Sequence, residues 1–347
     1  MNEQIELDTA PDESVRFWQT PSARSLGRLL ALLLVFSYFA VAVPGGNFLK
    51  RLTLVEIMVQ STVVGTAAIG ATMVIVSGGI DLSVGSLIFL SVIVTSKCVK
   101  LWAGHLQGSE TEILIWPLLA VGIGLAATTL AGLINGALIT SLRVVPFIVT
   151  LGMMLVLRGL GKGIAESGTV YTPSNWIGTL MDPVYGTARS WMLLPAGVWI
   201  MILGALAAAL FLRHTRLGRY IFAVGSNEQT ARLCGVRITR TKVAVYAMAG
   251  FFAAIAGIMQ YSYNKHGDIN AALGYELFVI AAVVIGGGSL RGGEGSVFGS
   301  IIGAIIMTVL WQGCVQKGWP RWVQDMVTGG IIITAVTIDQ LRHRRMT

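Results

Sequence analysis

The chain has 347 residues, of which 25 are Lys or Arg and 17 Asp or Glu, a charged share of 12% against about 25% in an ordinary soluble domain. With 54% hydrophobic residues and a mean hydropathy of +0.73 it has too little polar surface to cover a globule in water, which excludes a soluble enzyme and leaves a multi-pass membrane protein. The net charge of +8 does not indicate a nucleic-acid partner, because the basic residues sit in tails, loops and span flanks with no tract interleaved with aromatics.

Residues 1–28 hold eight charges and read as a polar tail. Ten stretches free of Asp, Glu, Lys and Arg follow, at 29–44, 57–80, 82–96, 113–142, 144–157, 190–212, 243–264, 277–290, 295–316 and 326–338. The first, Leu29 to Val43, has no small-residue cleavage site and is expected to remain as an anchor helix. Six runs approach the ~20 residues that cross a bilayer as helix; those starting at 82, 144, 277 and 326 are short and must borrow flanking residues or re-enter. Residues 167–181 are uncharged but hold Pro173, Ser, Thr and Asn, and read as a loop. The expected fold is all-α and membrane-integral, with about ten helices, some short or discontinuous, in a transmembrane domain at 29–338. An even count puts both termini on one face. With the N-terminus cytoplasmic, that face collects 15 of the 25 basic residues: Arg16, Arg24, Arg28, Arg143, seven between Arg213 and Lys242, Arg291, Arg342, Arg344 and Arg345. Both tails, 1–28 and 339–347, and the loop 213–242 are therefore expected in the cytoplasm.

Taken in chain order, the first unusual sequence is Ser77-Gly-Gly-Ile-Asp-Leu-Ser-Val-Gly-Ser86, a carboxylate among glycine and serine between two apolar runs. An intramembrane acid is costly and should face the bundle interior or a helix start. Asp81 or Ser83 is placed to cap a helix beginning near Leu82, and the same break can line a solute path, so both roles stay open. Asn135 lies inside the run 113–142, where an amide hydrogen-bonds a neighbouring helix or, alternatively, a solute; Pro146, Phe147 and Thr150 open the next run. Asp81, Ser83, Ser86, Asn135, Phe147 and Thr150 are the candidate pathway residues. Small residues repeat every four positions at Gly124, Thr128, Gly132 and Gly136, at Ala249, Ala253 and Gly257, and at Gly295, Gly299 and Gly303, each row expected on one face of a close-packed helix. In the loop 213–242, Ser226 and Gln229 form a capping box and Gly235 a stop, which predicts a two-turn helix between basic flanks. So short a helix needs something to dock against, a membrane surface or a soluble partner. The break Gly286–Gly295 lacks the Gly-Lys-Ser/Thr ending of a phosphate loop and the dinucleotide spacing, and reads as a tight turn. Cys98, Cys234 and Cys314, and the four histidines, are isolated, and no nucleophile constellation is present, so no cofactor, metal or catalytic residue is assigned.

Five ordered stretches, GIDLSVGS (79–86), GLINGALI (132–139), PFIVTLGMM (146–154), GSNEQTARLCGV (225–236) and AAVVIGGGSLRGGEG (281–295), resemble the permease subunits of bacterial ATP-binding-cassette importers for monosaccharides, the ribose and xylose permeases. The resemblance extends from about residue 55 to 315. It implies a subunit of the inner membrane, a homodimer in the lipid bilayer, cytoplasmic ATPase subunits and a periplasmic sugar-binding protein. It also places Gly225, Asn227, Glu228, Ala231, Arg232 and Gly235 in the helix that seats in the ATPase, so the nucleotide chemistry belongs to a partner. One departure is Glu276-Leu-Phe-Val279, where related permeases commonly carry Glu-Leu-Asp-Ala: Phe278 replaces an acid. Permeases for nucleosides, branched amino acids or a sugar-like signal look broadly similar. A secondary transporter coupled through Asp81 is the competing class.

Overall fold

The computed structural model describes residues 21–184 and 190–344. Most of the expected N-terminal tail, with Arg16, and the last three residues, with Arg345, lie outside the described residues. Twelve α-helices are described: α1 Pro21–Ala42, α2 Arg51–Val76, α3 Val84–Leu101, α4 Glu110–Leu142, α5 Pro146–Ile164, α6 Ala196–His214, α7 Arg216–Ser226, α8 Glu228–Leu233, α9 Ile238–Asn264, α10 Tyr275–Ile285, α11 Val297–Gln316 and α12 Arg321–Arg344.

Each of the ten uncharged runs falls within one helix or extends one. Among the described residues, α2, α3, α4, α5, α6, α9 and α11 are long and apolar enough to cross a membrane. The short runs at 82 and 144 meet that length by borrowing residues, as far as Leu101 and Ile164. That at 277 does not: α10 has 11 residues, and its glycine-rich continuation is non-helical. The local signals act as physical chemistry dictates. Ser109 and Glu112 form a reciprocal capping box at the start of α4. Arg143 ends it in the left-handed region, and Pro146 supplies the first turn of α5. The loop 167–181 adds to this helical chain a two-residue ladder, in which Val170 and Tyr171 pair antiparallel with Gly267 and His266.

Helix α2 is the axis of the bundle: 94% of its most apolar window is buried, against 22% for α4 and 17% for α5, most of whose leucines face outward. Because lipid is as apolar as leucine, burial alone does not hold such helices together, and close backbone approach must. A Cβ on Gly132 of α4 would lie 2.9 Å from Gly250 Cα of α9, one on Gly136 2.8 Å from Val243 Cα, and one on Gly70 of α2 2.8 Å from Ala249 Cα. The third small-residue row needs correcting, since Gly295 precedes α11 and only Gly299 and Gly303 lie on it, against Gly286 and Ala282. Arg28 of α1 donates to Gly286 O at 2.7 Å, placing a cation at the carboxyl end of α10.

Gly132→Leu should therefore lower the thermal unfolding midpoint of the purified protein by the equivalent of about 1–3 kcal/mol of overpacking. Gly122→Leu on the same helix, where a Cβ meets nothing within 4 Å, should leave it within error.

Candidate functional site

The site begins where α2 stops. Gly78, at φ +79, takes the left-handed residue that ends the helix, with Gly79 N–H donating to Val74 O at 3.0 Å and Gly78 N–H to Ile75 O at 2.9 Å. Six residues later α3 starts, so the end of one helix and the start of the next flank a short polar segment. Asp81 Oδ1 accepts from Ser83 N–H at 2.8 Å and from Ser83 Oγ at 2.6 Å. This corrects the capping expectation: α3 begins at Val84 with Ser83 in the cap position, but no side chain caps it. Asp81 reaches the residue two positions on, and that local turn competes with a cap.

Asn135 of α4 donates through Nδ2 to Ser83 Oγ at 2.8 Å, so amide, hydroxyl and carboxylate form one chain. From α5, Thr150 Oγ1 accepts from Leu82 N–H at 3.1 Å, and Ser86 Oγ donates to Met154 O at 2.8 Å. Asp81, Ser83, Ser86, Asn135 and Thr150 are thereby brought together, all buried. Phe147 is not: its ring is exposed on the outer face of α5, and only its carbonyl joins, accepting from Thr150 Oγ1. Tyr246 of α9 was missed in the sequence, although a tyrosine within an uncharged run calls for a partner for its hydroxyl. A Cβ on Gly79 would stand 2.7 Å from Tyr246 Oη. Asp81 Oδ2, Asn135 Oδ1 and Tyr246 Oη are buried without a hydrogen-bond partner, which is costly in a low dielectric and leaves two acceptors and a phenol available to a polar guest.

On the surface, the loop 213–242 folds as α7, α8 and the start of α9. The cap of α8 is Asn227, whose side chain accepts from Thr230 N–H at 2.9 Å; the Ser226–Gln229 box is corrected, because Ser226 still belongs to α7 and packs on Gly293. Gly235, at φ +82, ends α8, with Val236 N–H donating to Ala231 O at 3.0 Å. Ala231 is buried with Val224, Val236 and Ile238, and Glu228 takes Lys242 Nζ at 2.6 Å and Arg232 Nη2 at 3.2 Å. The Lys242 hydrogen bond, before any other contact, holds the Glu228 carboxyl below the usual range. These contacts fix α8 to α9 and leave Arg232 and Leu233 outward.

Gly225 has a different place. A Cβ there would collide with Val76 O and lie 2.6 Å from Gly293 N, which itself donates to Val76 O at 2.8 Å. A Cβ on Gly292 would lie 2.7 Å from Gly225 O and 2.9 Å from Gly78 Cα. Three bare backbones, from the ends of α2 and α7 and from the 286–295 break, thus meet three residues from Asp81, joining the exposed α8 unit to the buried break. Opposite, Glu276 Oε2 fills the space beside Gly85, while Arg158 donates to Ala271 O at 2.7 Å and lies 4.4 Å over the Phe89 ring. Phe278, in place of the expected acid, packs against the main core. A cavity of about 360 Å³ lined by Arg51, Leu52, Val55, Pro183, Val184 and Leu193 includes none of the Asp81 cluster and is mostly apolar.

A helical bundle built around the buried helix α2, with a polar break between two of its spans and a capped helix on its surface, defines a multi-pass integral membrane protein of the transport class. Residues 53–336 match the family described as branched-chain amino acid transport system / permease component. The ribose import permease protein RbsC of Escherichia coli K12 is 38% identical over 315 residues, covering 91% of this chain and 93% of that protein. The Bacillus subtilis 168 protein of the same name is 35% identical over 321 residues, covering 91% and 93%. The L-arabinose ABC transporter permease protein AraH of Azospirillum brasilense is 30% identical over 319 residues, covering 92% and 88%. No solved structure matches the chain significantly. The chain belongs to this permease family, whose named members here are transport subunits and not enzymes.

The depressed Glu228 pKa carries a sign. Its contribution to holding α8 is complete above the unfolded value of about 4.3 and is lost as pH falls through the lower native value. At pH 7, Glu228→Gln should speed hydrogen exchange of the Thr230–Leu233 amides several-fold. That difference from wild type should disappear below the native pKa, after correction for intrinsic exchange.

Proposed function

We propose that this chain is the membrane permease of an ATP-driven importer that carries a monosaccharide, a pentose such as ribose or xylose, across a bacterial inner membrane. The observation that carries this is the 38% identity, over nine-tenths of both chains, to a ribose import permease, with L-arabinose and xylose permeases at 30% and 31%. The subunit works as a homodimer in the bilayer, about ten helices per copy within 29–338. Tails 1–28 and 339–347 and loop 213–242 face the cytoplasm, and a periplasmic sugar-binding protein delivers the cargo. Nucleotide chemistry belongs to the cytoplasmic ATPase, which α8 meets through its outward residues; Asn227, Glu228, Ala231 and Gly235 set the pose of Arg232.

The glycine junction at Gly225, Val76 and Gly293 supports a direct mechanical route. Movement of α8 imposed by the ATPase reaches the end of α2 through backbone, without flexible side chains to absorb it. Parting the helices around Asp81, Ser83, Ser86, Asn135 and Thr150 then exposes acceptors that sugar hydroxyls satisfy, and Phe147 faces lipid or the second copy. Alternating access then starts from a closed break, a reading supported by the burial of these five residues.

Uptake of labelled ribose, by cells carrying this permease with its ATPase and binding protein, should stop with vanadate and survive an uncoupler. The opposite pattern would make the chain a secondary transporter, and import of leucine alone would reassign the cargo. Arg232→Glu should abolish uptake and ATPase association while leaving membrane insertion intact. Gly225→Val should keep the ATPase bound but cut sugar moved per ATP hydrolysed at least tenfold.

A further inference from the structure

At the end of the bundle away from α8, helix α2 carries Thr53, Glu56 and Gln60 on one face, at i, i+3 and i+7. Polar groups on an otherwise apolar buried helix require a reason. Glu56 Oε1 accepts from Tyr263 of α9 at 2.7 Å and from Gln60 Nε2 at 2.8 Å. On the same face of α2, Gln316 of α11 donates through Nε2 to Thr53 Oγ1 at 3.1 Å.

These bonds settle which way each amide points. A carboxylate only accepts, so Gln60 must turn its nitrogen to Glu56. Thr53 spends its hydroxyl proton on Asn47 O at 2.9 Å, so it too accepts from Gln316. Both glutamines therefore present their carbonyl oxygens elsewhere, and Gln60 Oε1 and Gln316 Oε1 are each buried with no partner. Two fixed acceptors that lack a donor, on two helices at the same end of the bundle, are a template for hydroxyl groups. Tyr275 at the start of α10 has its ring 6.2 Å from that of Phe278, adding a phenol and an aromatic face. The set suits a neutral polyhydroxylated solute. An anion would meet the Glu56 carboxylate, one oxygen of which already holds two donors.

We infer that Glu56, Gln60, Tyr263, Tyr275, Thr53 and Gln316 form an entry site for a neutral sugar at the end of the bundle opposite α8, separate from the Asp81 break. This rests on the importer function proposed above. The sugar leaving its binding protein exchanges water for the two amide oxygens before the break opens.

The test uses Gln60→Met and Gln316→Met, each removing an unpaired acceptor while keeping side-chain length, with uptake of ribose and 2-deoxyribose measured side by side in the cells described above. A merely structural role leaves uptake and the ribose to 2-deoxyribose ratio unchanged. The entry site requires ribose uptake to fall at least fivefold and the ratio to move toward one in either variant, with an unfolding midpoint equal to or above wild type. Tyr275→Phe, which deletes one hydroxyl, gives the same shift in ratio if a glutamine variant fails to fold. A wild type that imports ribose beside variants with unchanged uptake and ratio overturns the site alone, whereas a wild type that imports neither sugar overturns the importer and this site together.

Discussion

The contact of bare backbone on bare backbone is what the rest of this molecule depends on. In a bilayer an exposed leucine and a buried one stand in similar surroundings, so apolar side chains do not by themselves select which helix faces meet. Approaches at Gly70, Gly132 and Gly136 supply that selection, and each would be blocked by one methyl group. They wrap α9 against α2 and α4, leaving α4 and α5 to show leucine outward.

The same contact, repeated at Gly225, Gly292 and Gly293, gives the bundle a stiff internal joint. Gly293 N–H donates to Val76 O, so the end of α2 is held by a neighbouring loop while Gly78 turns the chain away. The break that follows owes its polarity to this geometry: the chain leaves helix for several residues, and its amides must find partners. Thr150 serves one, Asp81 another, and Asn135 ties the segment to α4. Helix discontinuity and polar content are thus one feature, placed beside the joint that leads to the surface helix α8.

Much of this was legible beforehand. The seven helices that, among the described residues, are long and apolar enough to cross a membrane each match an uncharged run, because hydrocarbon excludes charge whatever the tertiary arrangement. The break at residues 77–86 announced itself by an acid among glycines, and the end of α8 at Gly235 by a residue suited to positive φ. Other features were misplaced by small steps. Asn227 caps α8 where Ser226 was expected, since two adjacent residues both had suitable side chains and only the path of α7 chose between them. Asp81 does not cap α3 but binds the next hydroxyl along.

The sequence by itself determined a membrane-integral helical chain, the position of its interruptions and the residues of its surface loop, because charge exclusion, glycine geometry and capping act within a few residues of one another. Tertiary structure alone decided that Gly225 packs on Val76. It also decided that Phe147 lies outside the cluster its neighbour Thr150 joins, that Tyr246 enters it, and that Gln60 and Gln316 keep unpaired oxygens at the far end of the bundle. Those outcomes turn on which helix faces meet, and in a bundle apolar on nearly every side no local periodicity encodes that choice.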